Sequence, residues 1–197
     1  MRSAALALLI SLLAPFPAHA QDVACVEPLE AAPPAPVEHP HLRLARGEGV
    51  RVAVIDTGVA PHPELGHVEP LADLVSPWAP DPLLDCDGHG TAVAGVIRGI
   101  APGAQILSIR QSSAHYRDSP GGTLATLTQG IHVALDAGAR VINISVVSCL
   151  DPTLLLDAGP LHDALHRAET EGAVLVAAAG NAGGACQPGM TVYPAVE

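Results

Sequence analysis

The sequence contains no lysine. All nine of its basic residues are arginine, set against twenty acidic ones, and the formal net charge over 197 residues is -11. An acidic excess of this size argues against a nucleic-acid partner, which selects a basic face. Together with abundant alanine, arginine without lysine fits a GC-rich coding sequence and says nothing about function. Aromatic residues make up only 2% of the chain. The 49% hydrophobic content must therefore pack as alanine and aliphatic side chains, which suits helices lying close on a parallel sheet. Length and apolar content are those of one domain with an ordinary core.

Long hydrophobic runs are also scarce. Ala4 to Leu13 is too short to cross a bilayer, and no other segment could do so. With Arg2 ahead of it and Ala18-His19-Ala20 before Gln21, it forms the pattern of a cleavable secretory leader. Residues 1–20 are thus expected to be a signal peptide, and the chain to be exported, to the cell envelope or beyond. Residues 21–46 form a proline-rich arm, Glu30-Ala31-Ala32-Pro33-Pro34-Ala35-Pro36-Val37, with no apolar periodicity. His39 and His41 within it have no further ligands and are read as a solvated loop, not a metal site. The four cysteines lack the spacing of a zinc site; in an oxidising compartment they imply two disulfides, with three connectivities open.

What is present centres on Asp85-Cys86-Asp87-Gly88-His89-Gly90-Thr91-Ala92-Val93-Ala94-Gly95. A histidine between two glycines opens a small-residue helix, with Thr91 the expected N-cap, the glycines allowing a tight turn and the approach of a substrate. Upstream, Arg51-Val52-Ala53-Val54-Ile55 reads as a buried parallel strand that delivers Asp56 at its carboxyl end, where open α/β sheets place their sites. The plainer alternative makes Asp56 a turn residue before Gly58. Downstream, Ala173 to Ala179 is a second buried strand leading to Gly180-Asn181, whose amide could donate to a developing oxyanion.

Beyond His89 the pattern alternates: helix 92–99, strand 105–110, helix 122–137, strand 141–145, helix 160–171, strand 173–179. This predicts an α/β fold, a doubly wound, mostly parallel sheet with helices on both faces. Leu124, Leu127, Ile131, Ala134 and Leu135 share one helical face, off which His132 points, and His132 is expected to be exposed. Residues 61–87 read as proline-rich loop, with Trp78 expected to cover a patch of core or loop. His162 and His166 stand at i and i+4 as in zinc proteases, but Asp163 replaces the required glutamate, so a solvent-facing helix is the better account.

Three of these motifs, in order, resemble the subtilisin-like serine peptidases of family S8: Val54-Ile55-Asp56-Thr57-Gly58, His89-Gly90-Thr91 with Val93-Ala94-Gly95, and Ala178-Ala179-Gly180-Asn181. Pro61-His62-Pro63-Glu64-Leu65 and Ala101-Pro102-Gly103-Ala104 look like further turns of that family. The resemblance covers residues 47–197 and looks closest to the mycosins, envelope subtilases associated with type VII secretion. It implies an endopeptidase in which Asp56 orients His89, His89 deprotonates a serine, and Asn181 stabilises the oxyanion. It also implies that Ser145, Val146, Val147 and Ser148 bind a polypeptide substrate along a strand edge. Cys149 and Cys186 follow neighbouring strands and should pair. Cys25 with Cys86 is the pairing that resembles the mycosin arrangement. A type VII secretion membrane complex is the implied partner. No cofactor is implied; subtilases often bind calcium, but no acidic cluster here has an assignable loop pattern.

The nucleophile is the departure from the pattern. In the family it follows the asparagine in a Gly-Thr-Ser context, and none of the nine serines here has that context. Ser145 and Ser148 lie on the substrate strand, and Ser112, Ser113 and Ser119 on a loop. The expectation is an incomplete catalytic domain, inactive alone. The alternative function is a non-catalytic peptide-binding or scaffolding subunit of an envelope complex.

Overall fold

In chain order the elements are β1 (Arg51–Asp56), β2 (Val68–Asp73), α1 (His89–Ile100), β3 (Gln105–Arg110), α2 (Leu124–Asp136), β4 (Val141–Ile144), β5 (Ser148–Leu150), α3 (Gly159–Thr170), β6 (Val174–Ala177) and β7 (Thr191–Tyr193). They come from a computed structural model that describes Cys25 and residues 44–116, 121–153, 157–181 and 186–195. The leader, most of the proline-rich arm with His39 and His41, and Ser119 lie outside the described residues. No described helix is long and apolar enough to cross a membrane.

β1 sits at the centre of a five-stranded parallel sheet of order β2-β3-β1-β4-β6. Its run Val52-Ala53-Val54-Ile55 is buried throughout, as a strand covered on both faces requires. Alternate side chains enter different cores. Ala53 and Ile55 pack with Leu107, Ile109, Ile142 and Ile144 against Leu127 and Ile131 of α2 and Ala164 and Ala168 of α3. Val52 and Val54 meet Ile106 and, from α1, Ala94. The fold is therefore doubly wound with helices on both faces, as the alternating pattern predicts. α2 carries its periodic residues inward and starts on a capping box between Thr123 and Thr126, which satisfies amide groups a helix start leaves open.

Several local expectations are corrected. Residues 61–87 are not all loop: Val68 to Asp73 forms β2, an edge strand whose ladder is irregular between Pro70 and Ala72. Proline within a run argues against a central strand, but an edge with a bulge tolerates it. β5 and β7 form a separate antiparallel pair, and the strand expected to run through Ser145 ends at Ile144. His132 does not point free into solvent; it is partly buried, its Nδ1 3.3 Å from a guanidinium nitrogen of Arg167 on α3. Trp78 is 65% exposed and covers no core. His162 and His166 are exposed, as a solvent-facing helix requires.

Three strands end on charge. Asp73, Arg110 and Asp56 are register partners at the carboxyl ends of β2, β3 and β1. Arg110 donates to Asp73 at 3.0 Å, both side chains fully buried, and its guanidinium lies 4.7 Å from the centre of the Tyr116 ring. Asp73 also accepts the amides of Val75, Ser76 and Asp81. Removing either member of a buried pair strands the other charge, at about 3 to 5 kcal/mol, whereas replacing both by well-packed apolar chains is far cheaper. Asp73→Ala and Arg110→Met should therefore each lower the unfolding free energy in urea by about 3 kcal/mol or more, and Asp73→Leu combined with Arg110→Met should cost much less than the sum of the two single losses. A double variant that loses the full sum would contradict this account.

Candidate active site

The site is built where β1 ends and α1 begins. β1 delivers Asp56 fully buried at the carboxyl edge of the sheet, and α1 opens with His89. The N-cap is Gly88, at φ +71°, not Thr91. Glycine adopts this left-handed conformation without strain, but it offers no capping side chain. Gly90 is constrained differently: a Cβ there would collide with the Gly58 carbonyl oxygen and lie 3.0 Å from Asp56 Cβ. Its small size serves the close approach of helix and strand, a correction to the expectation that it admits substrate. The result is that His89 Nδ1 sits 2.7 Å from Asp56 Oδ1.

The capping function that Gly88 lacks comes from Asp85, a residue whose role the sequence motifs left unassigned. Its Oδ1 accepts Thr57 Oγ1 at 2.8 Å and the Gly88 amide at 2.9 Å. Its Oδ2 accepts the Thr91 amide at 2.9 Å and Thr91 Oγ1 at 2.6 Å. A carboxylate at a helix start satisfies open amides and complements the positive end of the helix dipole. Thr57 completes the brace. With its hydroxyl proton directed to Asp85, its oxygen accepts the Gly90 amide at 3.0 Å, while its own amide donates to Asp56 Oδ1 at 2.7 Å. Thr91 Oγ1 in turn accepts the Ala60 amide at 2.9 Å. Strand exit and helix entry are thus laced by the side chains of Thr57, Asp85 and Thr91. Their signal in the sequence was only that Asp85 precedes His89 in the same stretch.

Burial pushes the Asp56 carboxyl above its ordinary value; the hydrogen bonds from His89 and from the Thr57 amide work against that rise. Its Oδ2 is buried without a hydrogen-bond partner. The His89 side chain is 55% exposed, and with Nδ1 committed to the carboxylate, the neutral ring carries its proton on Nδ1 and leaves a lone pair on Nε2. Such a ring can take a proton from a group placed beside Nε2.

The other predicted residues are distributed around the same edge. Asn181 lies just past the carboxyl end of β6, exposed, and is not among the residues lining the cleft beside His89. Val146, Val147 and Ser148 border a cleft with Gln111, Ser112 and Gly122. Ser148 is paired with Tyr193 of β7, so the segment's edge is not wholly open; Ser145 accepts the Asn143 side-chain amide at 2.7 Å. Disulfides join Cys25 to Cys86 and Cys149 to Cys186, with Cα separations of 4.2 and 5.2 Å. Cys86 is buried next to Asp85 and Asp87, so the bridge ties Cys25 to the loop that carries His89. Among the described residues no three His, Cys, Asp or Glu side chains are grouped to hold a metal ion.

The sequence profile of the subtilase family, Peptidase S8, matches residues 47–195. Mycosin-4 of Mycobacterium tuberculosis is 42% identical over 172 residues, covering 76% of this chain and 37% of the relative. The crystal structure of MycP1 with the N-terminal propeptide removed superposes with a TM-score of 0.70 at 34% identity, over 78% of this chain and 55% of that one. A chain of an intact ESX-5 inner membrane complex matches with a TM-score of 0.61 at 37% identity, over 70% of this chain and 40% of that one. A parallel sheet wound on both faces, with an aspartate at the end of β1 against a histidine opening α1, defines an α/β protein of subtilisin-like architecture. The chain belongs to the subtilase family, with mycosins among its relatives, and spans between 34% and 39% of the length of the mycosins it matches.

Two measurements follow from the brace and from the buried acid. Asp85→Ala removes the acceptor for four donors. With a charged hydrogen bond contributing about 1.5 to 3 kcal/mol and the losses not additive, it should cost about 2 to 4 kcal/mol in urea unfolding. It should also weaken the low-field proton resonance of His89 Nδ1, with Asp85→Asn intermediate; an unchanged resonance in the alanine variant would refute the brace. For Asp56, the folded state holds the carboxyl proton more tightly than the unfolded state, so raising the pH favours unfolding. The stability of the protein relative to its Asp56→Asn variant should fall as pH rises from about 4 through the elevated folded value, then level off. Urea midpoints over a pH series test this, and a flat or rising difference would contradict it.

Proposed function

We propose that this chain supplies the aspartate, histidine and oxyanion asparagine of an exported subtilisin-like serine endopeptidase, acting with a nucleophilic serine in a Gly-Thr-Ser context that none of its nine serines has. The observation that carries the reading is the 2.7 Å contact between His89 Nδ1 and the buried Asp56, at the positions where the family motifs fall. In this reaction the serine hydroxyl attacks the scissile carbonyl as His89 Nε2 takes its proton. The tetrahedral oxyanion accepts a hydrogen bond from Asn181, and collapse breaks the C–N bond as the same imidazole protonates the leaving amine. Water then repeats the sequence on the acyl-enzyme, restoring the serine. Asp56 stays ionised throughout and holds the ring in the required tautomer. Val146, Val147 and Ser148 would bind the polypeptide beside the reacting carbonyl.

Similarity to a chain of an ESX-5 inner membrane complex supports a type VII secretion complex as partner, and the two disulfides fit an extracytoplasmic location. Binding to such a complex without catalysis is the competing reading; an intact Asp56 and His89 pair favours catalysis. In subtilisin, loss of serine or histidine alone removes about 10⁶ of the rate. The chain of 197 residues should accordingly show no hydrolysis of a peptide ester. Joined to a segment that carries a Gly-Thr-Ser helix, in one chain or as two, it should hydrolyse the ester at a rate abolished by His89→Ala. Activity of the 197 residues alone that a serine-directed inhibitor blocks would overturn the division of labour. No activity with a downstream Gly-Thr-Ser segment present would overturn the peptidase.

A further inference from the structure

Asp87 takes no part in the reaction above, yet its carboxylate stands beside the reacting histidine. It lines a cleft of about 520 Å³ together with Thr57, His89, Ser113, Tyr116 and Gly122. Its side chain is 13% exposed. Ser113 Oγ donates to its Oδ2 at 2.7 Å and the Ala114 amide to its Oδ1 at 2.9 Å. These bonds fix the carboxylate without exhausting it, because each oxygen has two lone-pair directions.

Among the described residues that line the cleft, Asp87 is the one acidic side chain and there is no arginine or lysine. Among the described residues the ion-pair partner nearest Asp87 is the imidazole of His115, whose Nε2 is 4.0 Å from Oδ1. Arg110, a described basic residue close to the cleft through its contact with Tyr116, is already paired with Asp73 at 3.0 Å. A carboxylate held in place, mostly shielded from water and with no arginine or lysine partner among the described residues, is a preformed receptor for a cation. Its position decides which cation. A polypeptide with its scissile carbonyl at His89 Nε2 places a neighbouring side chain in the space that Asp87 borders. Gly122 on the far wall brings no side chain into that space.

We infer that the cleft beside His89 is a subsite for a basic side chain of the bound polypeptide, with Asp87 as the group that recognises it. Arginine fits better than lysine, since a planar guanidinium can present two parallel donors to the carboxylate and lie against an aromatic ring such as Tyr116. This rests on the reading that a polypeptide binds at His89, and it adds the class of side chain that the site selects.

The test is a titration of the 197-residue protein with N-acetyl-arginine methylamide, N-acetyl-norleucine methylamide and N-acetyl-glutamate methylamide, following the amide resonances of Ala114, Gly121 and Gly122. The arginine ligand should bind about tenfold more tightly than norleucine, the difference of one charge-assisted hydrogen bond, and glutamate more weakly than either. Added salt should narrow the gap. Asp87→Asn retains an acceptor for the Ala114 amide and should reduce the preference to less than about twofold. Ser113→Ala, which leaves the charge in place, should preserve it. Equal binding of arginine and norleucine, no binding of either, or a preference that survives Asp87→Asn would overturn the subsite. The peptidase reading fails separately. Hydrolysis by the joined protein with no preference for arginine removes the subsite alone, whereas Asp87-dependent arginine binding without hydrolysis sustains the subsite and removes the peptidase.

Discussion

The structure depends on one junction, where the end of a buried strand is tied to the start of a helix by two carboxylates with opposite burdens. Asp56 is taken out of water entirely and gains hydrogen bonds at only one of its oxygens. Asp85 remains partly accessible and uses both. Burial of an ion costs several kcal/mol, and only close, well-directed donors offset it. That imbalance is visible in the raised Asp56 carboxyl. The strain is tolerated because Asp85, Thr57 and the close contact at Gly90 fix the geometry independently of the Asp56 and His89 bond itself.

The same edge gathers the rest of the unusual chemistry. A parallel strand covered on both faces has to stay apolar until it ends, so polar residues collect at its last position. Asp56, Arg110 and Asp73 occupy that position in three neighbouring strands. Arg110 and Asp73 neutralise each other in the interior, which leaves Asp56 free to pair with a residue from outside the sheet. His89 reaches it because α1 starts above this edge on the face occupied by Val52 and Val54.

How much of this was legible follows from what each feature depends on. Strand β3 runs over the residues its apolar pattern marks, and α2 and α3 fall within a few residues of theirs, because periodic burial writes itself into the order of side chains. β2 was hidden by Pro70, and β5 with β7 by their brevity. The Asp56 and His89 pair could be found because motif and position coincide. The brace could not. Asp85 accepts from Thr57, far away in sequence, and nothing in local composition distinguishes it from any other loop aspartate. Thr91 misled for a related reason: threonine near a helix start is an expected cap, but here its hydroxyl donates to Asp85 and accepts from Ala60 while a left-handed glycine holds the cap position. His132 was misjudged because the helix that covers it, α3, packs there only once the sheet has formed.

A fully buried aspartate against a half-exposed histidine makes sense when the two protonation states are compared. With neutral His89 the carboxylate accepts from the imidazole and from the Thr57 amide, both at one oxygen, and its desolvation is only partly offset. When the imidazole accepts a proton in the proposed reaction, a full positive charge appears 2.7 Å from it. At an effective dielectric of about 20 the attraction is on the order of 6 kcal/mol, less what the exposed face of His89 loses to solvent. The buried acid is thus poorly stabilised at rest and well stabilised at the moment of proton transfer. An acid already balanced by nearby cations, as Asp73 is by Arg110, would gain little at that step. The separation of the two aspartates by one strand, with the arginine committed to the other, is what keeps Asp56 responsive to His89.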